Sequence, residues 1–361
     1  MIGTHLADIY RSMADELTRR FKEYILEGQY IGGRYSTDFE SKVSRFLGAA
    51  DCVGCKSGTH SLVLALKAAG VGPGDEVISV GNTYYATIWA IKDVGATPVF
   101  CEIAPDNASM DPNCIESLIT PRTKAILPVH LYGIPCDLDR IKAICQRHCL
   151  HLIEDASHAF GSKYKGRYIG ADSEFACFSL YPTKNLGAFG DSGIVVSSKT
   201  NDADKVRDLL YFSRDPLNGT FNENAIHAQM DSLQAALISV VLDHFTQMAL
   251  RRQYLAKLYA DTLDGYVQFL PQLVSENVVP YMFCIYADNR DNLSAYLKKR
   301  GVLTQVHYRY DLHHFKQFAS RSWSLPYTEW HNAHVLSLHT SPDLSDEEVY
   351  YICETVLSYF K

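Results

Sequence analysis

The chain has 361 residues, 47% hydrophobic and 21% charged, and a formal net charge of −7 at pH 7. That apolar content excludes a largely disordered chain and suits one large domain plus a smaller one. The negative charge argues against a nucleic-acid-binding surface, so any anionic ligand must be held locally, by helix N-termini and a few Arg or Lys.

Leu6, Ile9, Met13, Leu17, Phe21, Tyr24 and Ile25 have helical spacing, and Gly28 with the Gly32-Gly33 pair ends that helix. Thr37-x-x-Glu40 has the form of a capping box. It opens a second helix with Phe39, Val43, Phe46 and Leu47 on one face, stopped by Gly48. Strands then alternate with helices. Strands are expected near 51–55, 76–80, 97–101, 124–129, 150–154, 175–179 and 193–197, helices at 59–70, 84–94, 112–119, 137–148 and 202–212. Asp111-Pro112 is a cap followed by a proline at the first helical position. This alternation implies an α/β fold with a mostly parallel sheet covered on both faces, and such sheets bind ligands beyond the carboxyl ends of their strands.

A long helical pattern from Asp231 to Thr262, with a break expected inside it, leads to a smaller α+β unit. That unit reads as strand 281–287, helix 291–300, strand 302–307 and a final helix 346–359 opened by a Ser345-x-x-Glu348 capping box. The expected organisation is an N-terminal helical segment (1–30), a large α/β domain (31–245) and a small C-terminal α+β domain (246–361).

Several of the 10 cysteines, such as Cys101 and Cys177, lie in apolar runs and read as reduced core residues of a cytoplasmic protein. Cys52-x-x-Cys55 closes a strand and reads as structural. Cys145, His148, Cys149 and His151 straddle a helix end and match no closed tetrahedral spacing, so no metal is expected. Met1 to Leu17 lacks a signal-peptide core, and the longest apolar stretch, Leu233 to Leu242, is too short to span a bilayer, so no membrane partner is expected.

Four strand ends carry chemistry. Ser57-Gly58-Thr59 joins a strand to a helix, where exposed N–H groups bind phosphate and a glycine lets the anion approach; a simple helix cap is the competing reading. Asn82-Thr83-Tyr84 offers an aromatic ring that stacks on a planar ligand or packs in the core. Glu154-Asp155 ends a buried strand in two carboxylates, of which one faces the ligand crevice and the other turns away. A crevice carboxylate pairs with a protonated heterocyclic nitrogen; a buried ion pair or a helix cap is the alternative. In Phe178 to Asp191, Pro182 and Gly187 bracket Lys184 in a loop after a strand. A Schiff-base enzyme needs an amine on a fixed backbone, shielded enough to lose its proton near neutral pH, and a solvated loop lysine is the other reading.

In this order the chain resembles the pyridoxal-phosphate sugar aminotransferases of the DegT type, within the aspartate-aminotransferase-like fold. The resemblance covers nearly the whole chain. It runs through Ser57-Gly58-Thr59, Gly72 to Val77, Gly95 to Phe100, Thr123 to Gly133, Glu154-Asp155-Ala156, Phe178 to Asp191, Met230 to Ala236 and His307-Tyr308. It implies a three-layer α/β fold with a smaller C-terminal domain, pyridoxal 5'-phosphate as cofactor, and a homodimer sharing its site across the interface. It implies a nucleotide-linked 3- or 4-keto sugar as acceptor and glutamate as amino donor. Lys184 matches the lysine that forms the Schiff base and Asp155 the partner of the pyridine nitrogen. Gly58 and Thr59 match the phosphate turn, Ser179 the hydroxyl that also reaches the phosphate, and Tyr84 the stacking aromatic. His158 stands where many relatives have Gln near the ring hydroxyl; a histidine serves that contact in either tautomer, with a charge that would change near neutral pH.

Two departures stand out. His227, Ala228, Gln229 and Met230 occupy a segment where relatives carry an Asn that reaches the partner subunit's phosphate, which makes His227 the candidate donor. Arg309 follows His307 and Tyr308, themselves candidate substrate contacts, where relatives often have Pro. A substrate phosphate, the donor carboxylate and bulk solvent are its candidate partners. A cofactor-binding regulator without turnover and an aminotransferase of keto-cyclitols are the alternative functions. Sugar dehydratases of this fold replace the lysine with His, and Lys184 argues against that assignment.

Overall fold

A computed structural model describes residues 1–210, 214–215, 220–318 and 322–360. Seven strands form the central sheet: β1 (Asp51–Cys55), β2 (Glu76–Val80), β3 (Thr97–Cys101), β4 (Thr123–Ile126), β5 (His151–Asp155), β6 (Phe175–Ser179) and β7 (Gly193–Ser197). Their spatial order is β1-β7-β6-β5-β4-β2-β3. Pairing is parallel from β3 through β6, and β7 alone runs against both of its neighbours. The carboxyl ends of the other six therefore share one edge.

Alternation along each strand divides the sheet's side chains between two cores. Ile78, Val99, Ile126, Leu152, Ala176 and Ile194 face one, and their neighbours Val77, Phe100, Ala125, Ile153, Cys177 and Val195 face the other. Both faces are covered, as the alternation of elements implies, and strand ends are left as the open rim.

The longer helices of this part are α1 (Ala14–Glu27), α2 (Arg34–Leu47), α3 (Gly58–Ala68), α4 (Tyr85–Asp93), α5 (Leu138–His148) and α6 (Ser232–Leu263). A smaller unit follows, with β8 (Met282–Tyr286) paired antiparallel to β9 (Val335–His339), and helices α7 (Arg290–Lys299), α8 (Pro326–His334) and α9 (Asp346–Phe360). The Ser345–Glu348 capping box closes reciprocally, at 2.9 and 3.2 Å, and Asp111 accepts from the Asn113 N–H at 2.9 Å.

Four expectations change. α6 runs without a break for 32 residues. It contains no Gly or Pro, and its polar positions Asp243, Thr246 and Gln247 face solvent in phase with the apolar stripe. By length and composition α6 would also cross a membrane, but half of its apolar window is buried inside the fold. α2 begins at Arg34, capped by Gly33 at φ 76°. Thr37 therefore lies inside the helix, and its hydroxyl donates back to the Arg34 carbonyl at 3.1 Å. Residues 302–307 form no strand; Val302 and Gln305 each make a single bridge, to Ile2 and Ser337. The strand that pairs with β8 is instead β9, led in by α8 with Pro326 in its first turn. The helix expected at 202–212 spans Thr200–Arg207, and positions 211–212 lie outside the described residues.

Candidate active site

The strand-end rim encloses a cavity of about 390 Å³. Ser57, Gly58, Thr59, Tyr84, Asp155, His158, Ser179, Lys184, His307 and Tyr308 all line it. The sequence places these residues on separate elements; the parallel sheet brings their ends together.

At the first end, Ser57 caps α3, accepting from the His60 N–H at 3.2 Å. The N–H groups of Gly58 and Thr59 belong to the first helical turn, where no intrahelical acceptor exists, and both residues line the cavity at the positive end of the helix dipole. Glycine is required here: a Cβ on Gly58 would lie 2.6 Å from Ser179 Cβ. The same close approach brings the Ser179 hydroxyl beside the turn.

At the end of β5 the two carboxylates separate as strand alternation requires. Asp155 faces the cavity. Its Oδ2 accepts from the Thr87 hydroxyl at 2.7 Å and its Oδ1 from the Ser157 N–H at 3.1 Å. Thr83 sits 2.8 Å from Thr87; because Thr87 spends its proton on Asp155, Thr83 is the donor to Thr87. Glu154 turns away, fully buried. It faces His130 Nε2 at 3.0 Å, while His130 Nδ1 accepts from the Cys136 N–H at 3.0 Å. His130 Nε2 thus carries the proton and donates.

Lys184 follows β6 in a turn fixed by its own N–H to the Tyr181 carbonyl at 2.8 Å. Burial lowers its pKa from 10.5 to about 8, with Asp155 opposing the shift. The Nζ rests 4.7 Å from the centre of the Tyr281 ring. Gly187 holds the far side of the loop, where a Cβ would lie 2.4 Å from the Pro182 carbonyl, and the Tyr10 hydroxyl donates to the Gly187 carbonyl at 3.2 Å.

Tyr84 lines the cavity mouth, 45% exposed, with its ring 5.7 Å from that of Tyr308. His158 stacks on Tyr281 at 4.1 Å. The Tyr132 N–H donates to its Nδ1 at 3.3 Å, so Nε2 carries the proton and donates to the Tyr308 hydroxyl at 3.2 Å. This corrects the expectation of either tautomer and a charge near neutral pH. Burial, with Lys184 and His307 nearby, holds the His158 pKa well below its ordinary value and keeps the ring neutral. His307 is likewise pushed down to about 3 by burial, then by Lys184 and His339.

Two candidates lie outside the cavity. Arg309 forms a bidentate pair with Asp291 at 2.8 and 3.0 Å, and that carboxylate, rather than a cavity ligand, occupies its fork. His227 is exposed, on a segment whose Ala228 carbonyl accepts from the Lys56 N–H beside the Ser57 turn. His148 and His151 hold Glu116 and Glu174, at 3.0 and 2.7 Å. Thr87, Tyr281 and Tyr132 escape the sequence reading. Thr87 lies one turn into the helix opened by Tyr84, a spacing that points it back toward the strand end, but nothing local marks the other two.

An amine poised near neutrality and a carboxylate at the ends of parallel strands, beside a helix N-terminus, define an α/β enzyme of group-transfer type. A family model described as the DegT/DnrJ/EryC1/StrS aminotransferase family matches residues 11–357, and the chain belongs to that family. It is 36% identical to the dTDP-3-amino-3,4,6-trideoxy-alpha-D-glucose transaminase of Streptomyces venezuelae, over 96% of this chain and 93% of the relative. It is 35% identical to a pleiotropic regulatory protein of Geobacillus stearothermophilus, over 99% and 97% of the two chains. The crystal structure of S. venezuelae DesV in complex with a ketimine intermediate superposes with a TM-score of 0.94 at 34% identity, covering 99% of this chain and 97% of that one. Family members use pyridoxal 5'-phosphate, and solved relatives include PLP and PMP forms.

Proposed function

We propose that this chain is a pyridoxal-phosphate-dependent aminotransferase that transfers an amino group, with glutamate as donor, onto a nucleotide-linked keto-sugar. The observation that carries this reading is the convergence of Lys184, Asp155 and the Gly58-Thr59 turn on one 390 Å³ cavity. The groups present fit the cofactor. The glycine-tight helix N-terminus and Ser179 suit its phosphate, Asp155 its ring nitrogen, Tyr84 its flat face, and Lys184 its aldehyde.

When bound, the cofactor supplies an electron sink that lets a proton leave the carbon bearing the amine. The chain's own residues do the rest. Lys184, with a pKa of about 8, is uncharged in an appreciable fraction of molecules near neutral pH and can act as a nucleophile. Once freed, its Nζ takes up and releases the proton that the transfer moves. Asp155 is fixed by Thr87 and the Ser157 N–H, so its charge stays oriented through both halves of the reaction. His158, neutral and donating from Nε2 to the Tyr308 hydroxyl, lines the site without adding charge.

The relatives' names support a nucleotide-linked sugar as acceptor. A homodimer is supported by the apolar run Phe21, Ile25, Leu26, Tyr30 and Ile31, all exposed in the single chain. In that dimer His227 is our candidate for a contact to the partner subunit's phosphate. The ten free thiols, eight of them buried, support a cytoplasmic setting. The regulatory name of one relative favours a second reading, a cofactor-binding regulator.

Borohydride reduction followed by peptide mass spectrometry should place the cofactor on Lys184. A panel of nucleotide keto-sugars should return the pyridoxamine form to the yellow form. Protein that gains no absorbance with added pyridoxal phosphate sinks the proposal; cofactor bound to Lys184 without turnover on any sugar favours the regulator.

A further inference from the structure

Leu131 lines the cavity; the next residue, Tyr132, does not, yet it touches the cavity wall at three points. Its side chain is fully buried and its backbone sits at φ 60°, a conformation a bulky residue keeps only where its surroundings over-determine it. Gly133 follows at φ 95°, where a Cβ would lie 2.4 Å from the Val279 carbonyl, so the turn is pinned from behind.

The three contacts go to three residues of the wall. The Tyr132 N–H donates to His158 Nδ1 at 3.3 Å. Its carbonyl accepts from the Tyr281 N–H at 2.9 Å. Its hydroxyl donates to the His307 carbonyl. His158, Tyr281 and His307 all line the cavity.

The direction of each bond is determined. A carbonyl only accepts, so the Tyr132 proton is committed to His307. His331 Nε2 lies 2.9 Å from the same hydroxyl and must therefore bring its own proton. Its Nδ1 is then bare and accepts from the Tyr286 hydroxyl at 3.0 Å. His331 is 2% exposed, and burial pushes its pKa down to about 3, so it stays neutral and keeps this polarity at working pH.

We propose that Tyr132 is a positioning residue of the active site, holding His158, Tyr281 and the His307-Tyr308 segment in place, with His331 fixing the direction of its hydroxyl. The proposal rests on the reading of the cavity as the cofactor and substrate site.

Tyr132→Phe keeps both backbone contacts and releases the His307 carbonyl together with the His331 Nε2–H. A wall displaced by a fraction of an ångström slows the chemistry more than it weakens binding. We expect kcat to fall about tenfold or more with the KM for the amino donor changed by less than about twofold. His331→Phe should do the same, and His331→Gln, whose amide can donate to the Tyr132 hydroxyl, should restore most of the rate. In ¹³C-histidine NMR of the wild-type protein, assigned with His158→Gln and His331→Gln, both rings should show the Nε2–H tautomer with or without cofactor. An Nδ1–H tautomer at either ring overturns the proposal, whatever the variants do. So does a Tyr132→Phe or His331→Phe protein that is less heat-stable but retains wild-type kcat, or a His331→Gln protein as impaired as His331→Phe. If the wild-type protein takes up no pyridoxal phosphate, the functional reading falls separately, and the tautomers still decide the network.

Discussion

Lys184 pays for its reactivity in folding stability, and the size of that effect follows from its surroundings. Unfolded, a lysine titrates near 10.5; in the cofactor-free fold Lys184 titrates near 8, because burial disfavours its charge more than Asp155 favours it. Below pH 8 the chain must fold with a charge it shelters poorly. Above 10.5 the amine is neutral in both states and the penalty vanishes. Stability should therefore rise with pH through this window, the reverse of what a well-paired lysine gives. The distance from 10.5 to about 8, at about 1.4 kcal/mol per pH unit, sets an upper limit of about 3.5 kcal/mol. Lys184 retains some access to water, so we expect about 2 kcal/mol. Lys184→Met keeps the side chain's length and removes the charge. The cofactor-free variant should be more stable than cofactor-free wild type by about 2 kcal/mol at pH 7, a rise in Tm of about 3 °C for a chain this long. Urea unfolding at a series of pH values reads this directly: the gap should narrow above pH 8 and close near 10.5. A variant no more stable than wild type at pH 7, or a gap independent of pH, would refute the placement of this amine in a poorly solvated site.

Three further outcomes test the rest of the site. Thr87→Val removes the hydroxyl bonded to Asp155 Oδ2 at 2.7 Å and should cost about 2 kcal/mol in urea unfolding while weakening cofactor uptake in a spectroscopic titration; no change in either would dissociate Thr87 from Asp155. Gly58→Ala drives a Cβ to 2.6 Å from Ser179 and should lower pyridoxal-phosphate affinity by about tenfold or more, measured by equilibrium dialysis. Unchanged affinity would mean that the phosphate binds elsewhere. Arg309→Ala breaks an exposed pair with Asp291 and should change stability by less than about 1 kcal/mol and leave the acceptor KM unaltered; a large rise in KM would put Arg309 back among the substrate contacts.

The sheet was legible because its signals are local. Short β-rich runs such as Phe175 to Ser179 alternate with helical patterns, and Pro182 and Gly187 mark the loop that carries Lys184. Gly58 was legible for the same reason, as a glycine just inside a helix start. Tyr132 and Tyr281 were not. Their importance lies in contacts across long sequence separations, and neither a positive φ at a tyrosine nor the ring beneath an amine leaves a local trace. His158 was half legible: its position followed from the resemblance, but its tautomer is set by a backbone N–H from another loop. Arg309 misled because its charge suggested a ligand, while Asp291, eighteen residues earlier, already occupies it. The break expected in α6 does not occur, and the helix's polar positions such as Asp243 and Gln247 mark its solvent side.

The cavity draws its lining from Ser57 through Tyr308, about two-thirds of the chain, and from both the large sheet and the segment that follows β8. The residues assigned to the cofactor, Gly58 to Lys184, all come from the large sheet, and Tyr281, His307 and Tyr308 complete the cavity wall from beyond it. The closed cavity therefore exists only once distant parts of the chain have met. A ligand that binds only the completed cavity lowers the free energy of the native state alone, so saturating pyridoxal phosphate would stabilise the fold by mass action.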